Sequence, residues 1–192
     1  MDRRDVIRLA GVAVPGFAAL HPDRLFALAR DVHRRAGTAQ RPAAFDEHQR
    51  ATVDSLAELI MPATDTPGAR AAGVPAFIDV IVGEWYHDDE RASFMRGLAD
   101  LDARCRTESG KTFVELTPDQ QTTLLTTLDS ESRAAPRDAP WSFFSRIKDL
   151  TLSGYYTSEI GLRQELGETF MPGRYDGAAP VRTSRSGSSG GN

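Results

Sequence analysis

Four histidines, His21, His33, His48 and His87, and one cysteine, Cys105, are the side chains of this sequence best suited to hold a metal or move a proton. No two of the histidines stand at the i, i+4 spacing by which one helix face offers a pair of ligands. A single cysteine can build neither a zinc knuckle nor an iron–sulfur cluster within the chain. Each histidine therefore reads as a solvent-exposed side chain, and Cys105, at helical spacing from Leu98 and Leu101, as a small core residue. The densest polar group is Glu84, His87, Asp88 and Asp89, at the end of an apolar stretch. Carboxylates and an imidazole this close together offer a metal site, and a stand-alone metal-binding protein or enzyme built on that cluster is one reading. Helix termini gather the same residue types for capping and dipole reasons, which is the other. Ser153-Gly154-Tyr155 lacks the first glycine and the preceding strand of a nucleophile elbow, no glycine-rich loop follows a strand, and no Cys-x-x-Cys-His offers a haem attachment. The chain is expected not to be an enzyme, with no catalytic, cofactor-binding or metal residue of its own.

A different chemistry, recognition by an export receptor, is written at the N-terminus. Arg3-Arg4-Asp5-Val6-Ile7-Arg8 follows the pattern of two arginines, any residue, two apolar residues and a basic one, and a moderately apolar run from Leu9 to Leu20 comes after it. Arg3, Arg4 and Arg8 are thus read as a twin-arginine signal, an address for the Tat translocase and the periplasm. Ala27-Leu28-Ala29 has the small-x-small form of a cleavage site but lies beyond the charged His21-Pro22-Asp23-Arg24, so late cleavage, poor cleavage and retention all stay open. No apolar run reaches the roughly 20 residues of a membrane span, so any membrane association comes through a partner. The net charge of −4 speaks against a general nucleic-acid surface.

The elements that would position these groups are helices. Leu25, Leu28, Ala29 and Val32 predict a short helix that Gly37 ends, with a small polar loop through Pro42. Asp46 is an N-cap for a helix carrying Val53, Leu56, Leu59 and Ile60, stopped at Pro62. Pro75 belongs to the first turn of a helix whose Phe77, Ile78, Ile81, Val82 and Trp85 form the most apolar face, the expected centre of the core. Asp88-Asp89-Glu90 opens the next, with Phe94, Leu98, Leu101 and Cys105, ended by Gly110. Thr117-Pro118-Asp119-Gln120 caps a helix through Leu124, Leu125 and Leu128. Pro140-Trp141 opens the last, with Phe143, Phe144, Ile147, Leu150 and Tyr155, interrupted at Gly154 and Gly161. No alternating strand pattern is found. The expectation is all-α: a single compact multi-helix domain of about six helices, with an N-terminal signal helix and a disordered C-terminal tail. The parts are a signal and leader helix over 1–29, a linker over 30–45, a helical domain over 46–177 and the tail over 178–192.

Tyr155-Tyr156 beside Gly154, and Arg174-Tyr175-Asp176 between Gly173 and Gly177, combine aromatic area with hydrogen-bonding groups, as interface centres do. Tyr155, Tyr156, Arg174, Tyr175 and Asp176 are candidate partner-contacting residues; the competing reading puts Tyr155 in the core and makes the later turn the end of the domain.

The run Asp54-Ser55-Leu56-Ala57-Glu58-Leu59-Ile60-Met61-Pro62-Ala63-Thr64-Asp65-Thr66-Pro67-Gly68-Ala69, followed by Gly73-Val74-Pro75-Ala76-Phe77-Ile78-Asp79, resembles the hallmark of the gluconate 2-dehydrogenase subunit 3 family. Thr151–Ile160 and the Pro172–Gly177 turn resemble that family's C-terminal signature, so the similarity spans about 45–177. The resemblance implies a small non-catalytic subunit of a periplasmic flavin-dependent dehydrogenase. The large subunit, of glucose–methanol–choline oxidoreductase type, would hold FAD and oxidise a sugar, sugar acid or glycoside, and a multihaem cytochrome c often takes the electrons. The small subunit would act as folding chaperone and carry the Tat signal for both. Many relatives have a cysteine just after the Tyr-Asp-Gly turn; Ala178 stands there in this chain, and Asp2 replaces the usual serine or threonine before the arginines.

Overall fold

The computed structural model describes residues 22–37, 44–134 and 142–166. Among them are six α-helices and no strand: α1 (Pro22–Ala36), α2 (Glu47–Ile60), α3 (Val74–Val80), α4 (Asp88–Ser109), α5 (Pro118–Ala134) and α6 (Phe143–Thr157). Wide π-helical turns follow α3 at Ile81–Trp85 and α6 at Gly161–Glu165, and a 3-10 turn, Phe113–Glu115, separates α4 from α5. The expected all-α architecture is what the chain forms. Arg3, Arg4, Arg8 and the signal segment before Pro22, and Arg174, Tyr175, Asp176 and the tail, lie outside the described residues.

Helix starts follow local chemistry. The Asp46 carboxylate accepts the N–H of Gln49 at 2.8 Å while the Gln49 side chain accepts that of Asp46 at 3.1 Å, a reciprocal cap that satisfies two donors the helix cannot. Thr117 and Gln120 repeat the arrangement for α5, and Ser142 accepts the N–H of Ser145 for α6. Helix α4 ends at Gly110, whose φ of 73° is in the left-handed region that side chains avoid.

Helix α3 is the centre, as its sequence predicts. Val74, Phe77, Ile78 and Val80 are buried around its whole circumference, and α1, α2 and α6 pack against it. Helix α6 is the second hub and touches all five others. Phe94 of α4 joins the two layers through Phe45 (ring centroids 5.9 Å apart) and Phe143 (5.2 Å). Gly154 does not interrupt α6. It is an interior helical residue placed where a Cβ would stand 2.9 Å from the Phe77 ring, so the glycine is what lets α6 lie close on α3.

The stretch 30–45, read as a linker, begins as helix, because α1 continues through Ala36 with Ala29 and Val32 buried in the core. At its far end the buried Asp79 carboxylate of α3 accepts the N–H groups of Ala44 (2.8 Å) and Phe45 (3.3 Å), which fixes the entry to α2.

Candidate functional site

The two sequence blocks singled out above, 54–79 and 151–160, meet in space. Residues 61–70 form an irregular loop between α2 and α3, and its polar groups are held from both sides. Glu58, near the end of α2, accepts the N–H of Arg70 at 2.8 Å and that of Ala63 at 3.3 Å, folding the loop back over its own helix. Arg70 in turn bonds Asp54 at 2.8 Å. A Cβ on Gly68 would lie 2.4 Å from the Glu58 carboxylate and 2.6 Å from the Ala63 nitrogen, so this backbone closes only with glycine there. Ala69 donates to the Met61 carbonyl at 2.8 Å, which closes the loop at its base.

From the opposite side comes Tyr155 of α6. Its ring is 1% exposed, and its hydroxyl donates to the Pro67 carbonyl at 2.8 Å and lies 3.3 Å from the Thr66 hydroxyl. Thr66 donates to Glu165 of the last wide turn at 2.7 Å. Tyr155 is therefore a core residue that pins a loop, and is not available to touch a partner. Tyr156 stands edge-on to it, 5.4 Å between ring centroids, and is half-buried, with its phenol pushed above the ordinary range by that burial. The solvent side of the loop, Pro62 to Asp65, is exposed.

The Glu84–Asp89 cluster does not converge. Glu84 turns to Arg35 of α1, 3.0 Å away, and the Glu90 carboxylate accepts the N–H of His87 at 3.1 Å as an N-terminal cap of α4. Asp88 and Asp89 sit in the exposed first turn of that helix, where carboxylates favour the dipole. Among the described residues no three His, Cys, Asp or Glu side chains come together as a metal ion would need. The histidines differ from one another. His87 is exposed, and His48 is exposed but bonded to the buried Asp102, whose other oxygen accepts the Phe113 N–H at 2.9 Å. His33 departs from the expectation: it is half-buried, 4.8 Å from the Phe77 ring centroid and 3.2 Å from the Thr157 hydroxyl, and burial holds its pKa below the ordinary value. His21 lies outside the described residues. Cys105 is buried as expected, its thiol pushed up by desolvation.

Trp85, assigned by periodicity to the apolar core face, is 39% exposed at the end of the wide turn that follows α3. It is the large hydrophobic side chain left in solvent among the described residues. Helix α3 is thus buried, and the wide turn after it presents one tryptophan. The described residues form a helical body with a tied-down loop. No helix of the described residues is long and apolar enough to cross a membrane.

Comparison with known proteins agrees on the segments that matter. The model of the gluconate 2-dehydrogenase subunit 3 family matches residues 47–173, covering α2 to α6 and both of the packed blocks. No curated protein and no solved structure matches the chain at a significant level.

Proposed function

The chain belongs to the gluconate 2-dehydrogenase subunit 3 family, and from that premise we propose that it is the non-catalytic small subunit of a periplasmic, FAD-dependent sugar or glycoside dehydrogenase. In this reading it serves as folding chaperone and Tat export partner of a large flavoprotein of glucose–methanol–choline type. The observation that carries the reading is the family match over 47–173, in the same segments that the fold ties together. The twin-arginine pattern at Arg3, Arg4 and Arg8 supports the export role. In this reading FAD belongs to the partner, and in complexes of this kind a multihaem cytochrome c often takes the electrons. The metal-binding alternative is the weaker reading on the cluster's geometry, since Glu84 is engaged by Arg35 and Asp88 and Asp89 stand in the exposed first turn of α4.

The test is co-expression of the large flavin subunit with this chain, followed by dehydrogenase activity in the periplasmic fraction. Active enzyme is expected there with the wild-type chain, and a large loss when the chain is omitted or when Arg3 and Arg4 are both changed to lysine. Equal periplasmic activity in all three cases would overturn the export role.

A further inference from the structure

The small-x-small sequence Ala27-Leu28-Ala29, the form after which a signal peptidase cuts, falls inside a folded element. Helix α1 runs from Pro22 to Ala36, so the bond after Ala29 is near its middle. A cut of this form places two side chains, two residues apart, in pockets on one side of the chain. An extended segment can do that, because its side chains i and i+2 point the same way. In a helix two residues advance about 200° around the axis, and the pair is split. Ala27 is exposed, whereas Ala29 is buried in the body. The half of α1 beyond the bond holds the helix down. Val32 is 1% exposed in the same core as Phe77 and Ile78. The His33 ring stands 4.8 Å from that of Phe77, its Nε2 is 3.2 Å from the Thr157 hydroxyl, and Arg35 pairs with Glu84 at 3.0 Å. Helix α1 precedes residues 47–173 of the family match, yet it packs on α3 and α6, the two hubs of that body.

We propose that α1 is a permanent part of the exported subunit: seated on α3 and α6, it withholds the Ala29–Arg30 bond from signal peptidase, and the chain that reaches the periplasm begins ahead of Pro22. The proposal rests on the export reading, because a Tat passenger crosses folded and α1 is then in place before the peptidase meets it. Cutting there requires α1 to unwind on both sides of the bond and Ala29 to leave the core. Proteolysis of a folded segment is limited to the small population in which that segment is open. What a cut would leave is Arg30–Ala36, about two turns, too short to hold a helix by itself. The seat of Val32 and His33 would weaken with it.

The test is N-terminal sequencing and intact mass of the exported chain, tagged at its C-terminus and co-expressed with the large flavin subunit. The wild-type chain is expected to begin ahead of Pro22. Val32→Asp, which puts a charge into the seat of α1, is expected to raise the fraction that begins at Arg30 by about tenfold or more, since cutting tracks the open population. Val32→Ala, which keeps the seat apolar, should raise it by less and serves where the charged variant does not fold. Amide exchange in α1 relative to α4 reports that the helix has loosened while the body stays folded. A wild-type chain beginning at Arg30 would overturn the shielding and leave the export reading standing. So would Val32 variants whose loosened α1 is cut no more than that of the wild type. No exported chain from the wild type would overturn the export reading and the proposal with it.

Discussion

The loop 61–70 and the surroundings of Tyr86 and Asp149 are built from similar materials and satisfied to opposite degrees. Each has a tyrosine, a carboxylate and an arginine nearby. In the loop, the Tyr155 hydroxyl reaches the Pro67 carbonyl, Glu58 takes two backbone N–H groups, and Arg70 is paired with Asp54. In the second region, the Tyr86 hydroxyl and the Asp149 carboxyl have no such partners among the described residues. A buried polar group costs about 1–3 kcal/mol when left unmatched. The loop's satisfied network therefore stabilises the fold, whereas the unpaired Tyr86 and Asp149 groups are a cost that the fold carries.

The largest expected effect tests the first half of that contrast. Tyr155→Ala should lower unfolding stability by about 3–5 kcal/mol, the usual cost of removing a fully buried aromatic ring. Tyr155→Phe keeps the ring and strands the Pro67 carbonyl, for a smaller loss of about 1–2 kcal/mol. Denaturant titration of both separates packing from the hydrogen bond, and a Tyr155→Phe chain as stable as the wild type would mean that the loop is not held by the hydroxyl. The second half predicts the opposite sign. Because the Asp149 carboxyl is raised from the usual 3.8 to about 6 in the fold, the folded chain binds a proton more readily than the unfolded one. Its destabilising contribution is absent below about pH 4, grows as pH rises to about 6 and stays constant above. Asp149→Asn should therefore stabilise the isolated chain at pH 7, on the order of 1 kcal/mol after allowing for solvent screening, and leave it unchanged near pH 3.5. Melting curves at the two pH values check both statements, and a variant less stable at pH 7 would remove the contrast.

The same two regions divide what was legible in the sequence. Caps and breakers at Asp46, Pro75, Gly110 and Thr117 act through neighbours in the chain, so helix starts and ends could be read directly. Apolar spacing likewise placed Ile78, Phe94 and Ile147 in the core. Trp85 was misplaced because periodicity assumes about 3.6 residues per turn, and the wide turn Ile81–Trp85 adds about one residue and swings the face outward. Arg91 takes up the carbonyls of Val82 and Gly83 there, at 3.1 and 2.7 Å, a partnership that no local pattern announces. Gly154 read as a break because glycine is a poor helix former, yet its role is set by Phe77 on another helix. Tyr155 read both as a partner-contacting residue and as a core residue, and the sequence could not choose because its partners, Thr66 and Pro67, lie more than 80 residues earlier. Asp149 gave no signal at all, since being unpaired is a property of the tertiary environment.

His33 sharpens the comparison with a group whose burial favours its neutral form. It faces the Phe77 ring of α3 and, on α6, the Thr157 hydroxyl and the Gly154 carbonyl; its charged neighbours are Asp31, Arg34 and Arg35, and the last is tied to Glu84 of the wide turn. The Thr157 hydroxyl donates to the Ser153 carbonyl at 2.6 Å, which leaves its oxygen to accept from the imidazole N–H. Desolvation lowers the His33 pKa from 6.5, against a smaller opposing contribution from Gly154. With a folded pKa below the unfolded one, the stabilising contribution is complete above about 6.5 and is lost as pH falls below it. The loss should be local, because only α1 depends on this contact for its seat on α3 and α6. Amide exchange in α1 is expected to quicken between pH 7 and 5.5, relative to α4 and after correction for intrinsic rates. His33→Gln, which keeps a donor but cannot titrate, should abolish that change while leaving α4 protected. If wild-type α1 and α4 respond alike to pH, the helix is held by the apolar contacts of Ala29 and Val32 alone, and the histidine is a passenger.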